Sequence, residues 1–217
     1  MSNRTELINS LFNNWENEIP EYKNKFVKDG ILNEDLYNTA KHKILFITKE
    51  PNNPKQESGD FREWWKDELY YTFSYRIAEW SYGILNDFPE YDIIWKTNGL
   101  AHNAIQHISL MNIKKNGGGG NSEYLRMMEH AKMNYKFLQR QLEIISPEVI
   151  ILGTSWKELR NEVLPNITWK DSGYGIDIGR YGESKVIDFY HPSSRNAPAA
   201  TYCLLQKIIE SKSYCNL

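Results

Sequence analysis

Ile44-Leu45-Phe46-Ile47-Thr48-Lys49-Glu50-Pro51-Asn52 is an apolar run that stops at a polar cluster closed by proline. Such a run reads as a strand buried on both faces, whose carboxyl end opens into a loop. A second stretch, Val186-Ile187-Asp188-Phe189-Tyr190-His191-Pro192-Ser193-Ser194, repeats the pattern near the other end of the chain. If the two strands share one parallel sheet, Glu50 and His191 emerge on the same rim, where open α/β sheets keep their sites.

Working outward, residues 4 to 27 place Leu7, Ile8, Leu11, Phe12, Trp15 and Ile19 at helical spacing, which predicts an amphipathic helix over one sheet face. A loop through Gly30 leads to the first strand. The aromatic-rich segment from Phe61 to Leu85 predicts one or two helices. Ile105 to Ile113 reads as a second strand region, followed by Asn116 and the run Gly117 to Gly120, expected to be a mobile loop. Ser122 and Glu123 open a long helical pattern carrying Tyr124, Met127, Met128, Ala131, Tyr135, Leu138, Leu142 and Ile145, which stops before Ser146-Pro147. Val149 to Leu152 is then a strand, with Gly153 at its turn and Thr154 or Ser155 placed to cap the next helix. Residues 166 to 190 predict β structure with turns at Gly173, Gly175, Gly179 and Gly182, and Ala197 to Lys212 a closing helix. The fold class expected is α/β, three layers around a central, mostly parallel four-stranded sheet. The whole of 1–217 reads as one domain, with 1–40 as an N-terminal helical extension.

The chain of 217 residues carries a net charge of -2, with 41% apolar and 25% charged residues. That balance argues against a broadly basic nucleic-acid binder, although Lys41, Lys43, Lys49, Lys55, Lys114, Lys115 and Arg195 can form local patches near strand ends. Seven Trp and fourteen Tyr suit pocket walls or base stacking as well as plain packing. Two cysteines, Cys203 and Cys215, give no disulfide framework and suggest a reducing, cytoplasmic setting. The N-terminus lacks a signal-peptide core, and no stretch approaches the roughly 20 apolar residues of a membrane span. A monomer without membrane contact is expected, and no protein partner is indicated.

Three strand-end clusters thus follow in order: Lys49-Glu50-Pro51-Asn52, Leu110-Met111-Asn112-Ile113-Lys114 and His191-Pro192-Ser193, with Val149-Ile150-Ile151-Leu152-Gly153 before the last. Their order over residues 43 to 210 resembles the uracil-DNA glycosylase superfamily. Its members carry a Gly-x-x-Pro first motif, a strand ending in Asn, a strand of the Pro-x-Val-Ile-x-x-Leu-Gly type and a late His-Pro-Ser loop. The resemblance implies a DNA partner and a monofunctional DNA glycosylase, which hydrolyses the N-glycosidic bond of a flipped base by water, without a lysine nucleophile, cofactor or metal. Glu50 falls where members orient the water, and a carboxylate there suits an oxocarbenium-like sugar. Asn112 matches the residue that reads the base edge, and His191 the residue that stabilises the departing base. Lys49, Pro51 and Asn52 would line the pocket, with Phe61 or another ring among Trp64, Trp65, Tyr70, Tyr71 and Phe73 stacked on the base. Ser193, Ser194, Arg195 and Asn196 match the loop that enters the duplex, and Lys114 would add a phosphate contact.

Each residue also has a plainer reading: Glu50 as a loop cap or a surface partner of Lys49, Asn112 as a turn residue, His191 as a structural hydrogen-bonder, Ser194 to Asn196 as helix caps. Thr48 stands where the first motif normally has glycine, Lys49 and Glu50 are unusual at the next positions, and the iron–sulfur cysteines of some members are absent. These departures count against uracil itself and point to a larger or modified base, such as a hypermodified or glycosylated cytosine, so that a uracil-like or modified base is the expected substrate. The alternative is a non-catalytic nucleic-acid-binding module on the same fold. An α/β-hydrolase elbow, a phosphate loop and a dinucleotide-binding glycine pattern are all missing. His102 and His107, five apart without an acidic partner at ligand spacing, do not suggest a metal.

Overall fold

The structure, a computed structural model, describes residues 3–119 and 121–217. Gly120, the last residue of the expected glycine loop, lies outside the described residues, as do Met1 and Ser2. In chain order the elements are α1 (Arg4–Glu18), β1 (Val27–Lys28), β2 (Gly30–Ile31), α2 (Glu34–Thr39), β3 (Ile44–Thr48), β4 (Gly59–Asp60), α3 (Phe61–Trp64), α4 (Tyr71–Leu85), α5 (Ile93–Lys96), α6 (Leu100–Gln106), β5 (Ser109–Asn112), α7 (Tyr124–Ile145), β6 (Val149–Leu152), α8 (Lys157–Val163), β7 (Lys170–Asp171), β8 (Asp177–Tyr181), β9 (Ser184–Asp188), α9 (Pro198–Ile209) and α10 (Lys212–Cys215).

The fold is mixed α/β, but the sheet corrects the four-stranded expectation: it has seven strands in the order β2-β5-β3-β6-β9-β8-β7. Its four central strands, β5, β3, β6 and β9, are parallel. Antiparallel strands extend it on both sides, β2 beside β5 and the β8–β7 pair beside β9. The central strands are legible because both of their faces are covered. In β3, Leu45 and Ile47 pack with Trp15 of α1, Leu138 of α7 and Leu159 of α8. Ile44 and Phe46 point the other way, into a cluster with Trp80 of α4, Ile105 of α6 and Leu205 of α9. Alternation within a continuous apolar run is what a doubly covered parallel strand requires. The outer edge is polar, since β7 consists of the exposed pair Lys170 and Asp171.

Several local expectations are revised. α1 starts with Asn3 accepting from the Glu6 amide and ends at Glu18 rather than 27, because Ile19 precedes Pro20 and is pushed out of helical geometry. The segment expected as a helical extension also contains β1 and β2, and β2 joins the main sheet. Residues 105 and 106 close α6, and the strand is confined to 109–112. Gly179 lies inside β8 rather than at a turn, where a Cβ would come 2.4 Å from the Ile167 side chain. The cap of α8 is Trp156 with no side-chain bond, not Thr154 or Ser155.

Behind the sheet a charged pair is fully enclosed. Lys115 Nζ donates to both Asp29 oxygens (2.8 and 2.7 Å) and to Gln141 Oε1 (3.0 Å). Gln141 Nε2 and the Asn112 backbone amide also donate to Asp29, at 2.8 and 2.7 Å. The ammonium lies 4.9 Å from the Trp15 ring centroid. This network joins the β1–β2 segment, the end of β5 and α7, and every member needs the others because an unpaired buried charge is costly. We expect Lys115→Met to lower unfolding stability in urea by about 3–5 kcal/mol. Lys115→Met with Asp29→Leu is expected to lose less than the sum of the two single changes, and additive losses would refute the coupling.

Candidate active site

The parallel register brings the strand ends into one row. Thr48 pairs with Asn112, Ile47 with Leu152, and Leu152 with Asp188. The ladder continues one step past each strand through Ile113 N–H to Thr48 O (3.0 Å), Gly153 N–H to Ile47 O (2.8 Å) and Phe189 N–H to Leu152 O (2.9 Å). Lys49-Glu50, Lys114, Thr154 and Tyr190-His191 therefore surround one rim. The chain leaves β3 toward β5 but leaves β6 toward β9, so the crevice between β3 and β6 is the point where the connections diverge, the favoured ligand position in such sheets. Gly153 lets the loop after β9 pack closely on the end of β6: a Cβ there would lie 3.2 Å from Pro192 Cδ and 3.4 Å from His191 Cα.

On the β3–β5 side, Glu50 Oε2 accepts from Lys114 Nζ at 2.5 Å, and both side chains are more than 90% enclosed, at 8% and 3% exposure. Lys114 also donates to Gly117 O (3.2 Å). Glu50 Oε1 makes no hydrogen bond among the described residues. Within the glycine run, Gly117 and Gly118 are partners of the first motif. Gly118 N–H donates to Pro51 O (2.9 Å) and Gly118 bridges to Asn52. A Cβ on Gly118 would come 2.1 Å from Glu50 Oε2, and one on Gly117 would come 2.0 Å from the Asn53 carbonyl. The absence of side chains is what lets the Glu50 carboxylate lie where it does.

On the β6–β9 side, His191 Nδ1 accepts from the Ser193 backbone N–H at 3.2 Å. The neutral ring must therefore carry its proton on Nε2. Burial, helped by the nearby Lys49 charge, holds the His191 pKa down at about 4. The Phe73 ring centroid lies 5.8 Å from that of His191. Lys49 is half-buried and its Nζ stands 4.7 Å from the Trp156 ring centroid. The loop after His191 is tied down from behind, since Arg76 of α4 reaches the Asn196 carbonyl (3.3 Å) and the Thr201 hydroxyl (2.8 Å) and is itself paired with Glu79 (3.1 Å).

The rim thus gathers Lys49, Glu50, Pro51, Asn52 and His191, while Ser193, Arg195 and Asn196 lie exposed beside it and Ser194 is half-buried. Others are placed differently. Asn112 is fully buried, its Oδ1 accepting from Thr48 (2.8 Å) and its Nδ2 facing Asp29 (3.4 Å), so its amide holds the framework. Lys114 is enclosed against Glu50 and Lys115 against Asp29, so neither belongs to a phosphate-binding patch. Phe61 is buried among Trp64, Trp65 and Phe73, and it is Phe73 that faces His191. Sequence reading missed Trp156, Arg76 and the buried His130, whose Nδ1 meets the Tyr22 hydroxyl at 3.0 Å. No short motif marks these residues, because their partners lie far away in the chain.

The chain matches no protein-family model and no curated protein sequence. Among the described residues, no group of three or more His, Cys, Asp or Glu side chains is arranged to hold a metal ion, and no helix is long and apolar enough to cross a membrane. One surface cleft of about 140 Å³ lies at the amino ends of the strands, beside His42, Phe88 and Val149. Another, of about 280 Å³, lies beside Tyr135 and Pro165. The candidate site is therefore defined by convergent side chains and not by either cleft.

Two outcomes follow from this geometry. Gly117→Ala, which meets backbone, is expected to cost about 1–3 kcal/mol in a denaturant melt. Gly118→Ala, which meets the far end of the Glu50 side chain rather than backbone, should cost less while displacing Glu50, and the reverse order would contradict the placement. Second, His130 and His191 both stand near 4 in the folded protein against an ordinary 6.5, each chiefly through burial. Between those values the unfolded chain binds protons that the folded chain refuses, so stability should be complete above about pH 6.5 and fall as pH drops toward 4. Urea midpoints measured across that window should show the decline, with a shallower slope for His130→Gln; a flat profile would refute it.

Proposed function

We propose that the protein hydrolyses an N-glycosidic bond in DNA, releasing a flipped uracil-like or modified base as a monofunctional glycosylase. The observation that carries this reading is the state of His191: a half-buried imidazole, its pKa held down at about 4, whose Nδ1 is occupied by the Ser193 amide, leaving Nε2–H to donate across the rim. A neutral donor in a dry site stabilises charge as it develops on a departing base, and loses no proton in doing so. Glu50 stands on the same rim with Oε2 fixed by Lys114 and Oε1 left to orient a water toward the anomeric carbon. Phe73 offers a ring beside His191 on which a base stacks. The exposed Ser193-Ser194-Arg195-Asn196 loop, anchored through Arg76, is positioned to contact phosphate and fill the gap left by the flipped nucleotide. The order of strand-end motifs, and their convergence at a row of parallel strand ends, support the likeness to the uracil-DNA glycosylase superfamily.

A second reading, a nucleic-acid-binding module without chemistry, is favoured by one feature: the Glu50–Lys114 pair is closed and Asn112 is fully engaged by Thr48 and Asp29. The two separate in a base-release assay. Duplex and single-stranded DNAs carrying uracil, hypoxanthine, mismatched thymine or hypermodified cytosines are incubated with the protein, and free base and abasic sites are measured. Release that falls about 10²–10³-fold in His191→Ala is expected. Release undiminished in that variant would remove His191 from the mechanism, and DNA binding without release from any substrate would establish the second reading.

A further inference from the structure

Three lysines lie at or behind the ends of β3 and β5, and their surroundings differ. Lys114 is paired with Glu50 at 2.5 Å and Lys115 with Asp29 at 2.7 Å, both in enclosed positions. Lys49 alone of the three has an Nζ that makes no hydrogen bond or ion pair among the described residues. It follows directly on the last residue of the central strand, at the crevice where the sheet connections diverge. Its amine is half-buried and sits over the Trp156 indole at 4.7 Å, with His191 near enough that the lysine charge depresses the imidazole pKa.

We propose that Lys49 is a nucleophilic amine that condenses with the C1′ aldehyde of an abasic deoxyribose held at this rim. The choice of aldehyde rests on the N-glycosidic reading, because hydrolysis there leaves a C1′ hemiacetal in equilibrium with its open-chain aldehyde. The step is balanced without any further reagent. The neutral amine adds its lone pair to C1′, the carbonyl π electrons move to oxygen, and the nitrogen loses a proton as the oxygen gains one, giving a carbinolamine. Loss of one water then gives the imine. A lysine works as such a nucleophile when its surroundings disfavour the charged form. Lys49 meets that requirement: burial lowers its pKa, and attraction to Glu50 opposes the shift only in part. His191, with Nδ1 occupied by the Ser193 amide, has only its Nε2–H to offer and steadies the developing charge on oxygen, while solvent water carries the proton from nitrogen to oxygen. Such an imine would hold the unstable abasic product on the protein after the base has left.

The test uses a pre-formed abasic oligonucleotide, so that no base release is needed. The full-length protein is mixed with it in the presence and absence of sodium borohydride, which reduces an imine to a stable secondary amine, and the adduct is located by peptide mass mapping. The expected result is a borohydride-dependent adduct on the peptide carrying Lys49, reduced at least about tenfold in Lys49→Arg, whose guanidinium keeps the charge but cannot become a neutral nucleophile. Absence of an adduct, an adduct on other lysines, or one that persists undiminished in Lys49→Arg overturns the assignment. Mapping on the unaltered protein decides the matter even if the variant fails to fold. Base release from the DNA panel without trapping would refute this role of Lys49 alone, whereas trapping without base release from any substrate would refute the hydrolase reading and leave the amine reactive.

Discussion

Everything functional hangs on the parallel ladder that passes through β3. Because β5 and β6 pair with it on opposite sides and β9 follows β6, backbone bonds fix four strand ends in a single row. A side chain at the first position beyond any of these strands has little choice about where it emerges. Apolar packing on both faces holds the ladder in register, since a slip by one residue would turn Leu45 and Ile47 out of one cluster and Ile44 and Phe46 out of the other. The rim is thus a consequence of hydrophobic patterning that is itself chemically inert.

Charge at the rim follows a gradient of enclosure. The deepest lysine, Lys115, is saturated by Asp29 and Gln141 and braces the framework. Lys114, one residue nearer the strand end, fixes one oxygen of Glu50 and leaves the other unengaged. Lys49, at the mouth, makes no hydrogen bond or ion pair among the described residues and stands over an indole. The same logic holds for the histidines, because burial excludes protons from both His130 and His191, yet only His191 faces the crevice. The arrangement concentrates reactivity where solvent is scarce but still reachable.

The long helices and the four central strands were legible because their patterns persist over enough residues to be periodic: Ile8, Leu11, Phe12 and Trp15 in α1, and the unbroken Val149-Ile150-Ile151-Leu152 of β6. The two-residue strands β2 and β7 carry no period at all, and the antiparallel β8 lies in a stretch read only as β structure with turns, so the sheet was expected to be four strands wide. At the site, Glu50 and His191 were expected on one rim from the way their strands end, and the parallel register does set those strand ends in one row. The enclosure of Asn112 and Lys114 was not legible, since each is engaged by a partner distant in sequence, Asp29 or Glu50. Composition suggested a mobile glycine run, but only the tertiary contact with Asn53 and Glu50 shows why Gly117 and Gly118 are needed. Phe73 was one of six candidate rings, and no local pattern singles it out.

The sheet's two margins have a bearing on how the chain behaves in company. β2 offers just Gly30 and Ile31, and β7 just Lys170 and Asp171, whose opposite charges face water. An exposed strand margin is a template on which another polypeptide could add itself, and short or charged margins deny it that foothold. A sheet with so apolar a middle, produced at high concentration, would otherwise be prone to grow by lateral accretion. Here the most aggregation-prone segments, β3 and β6, lie in the interior of the sheet, and what the margins present to a neighbouring molecule is too brief and too hydrated to extend.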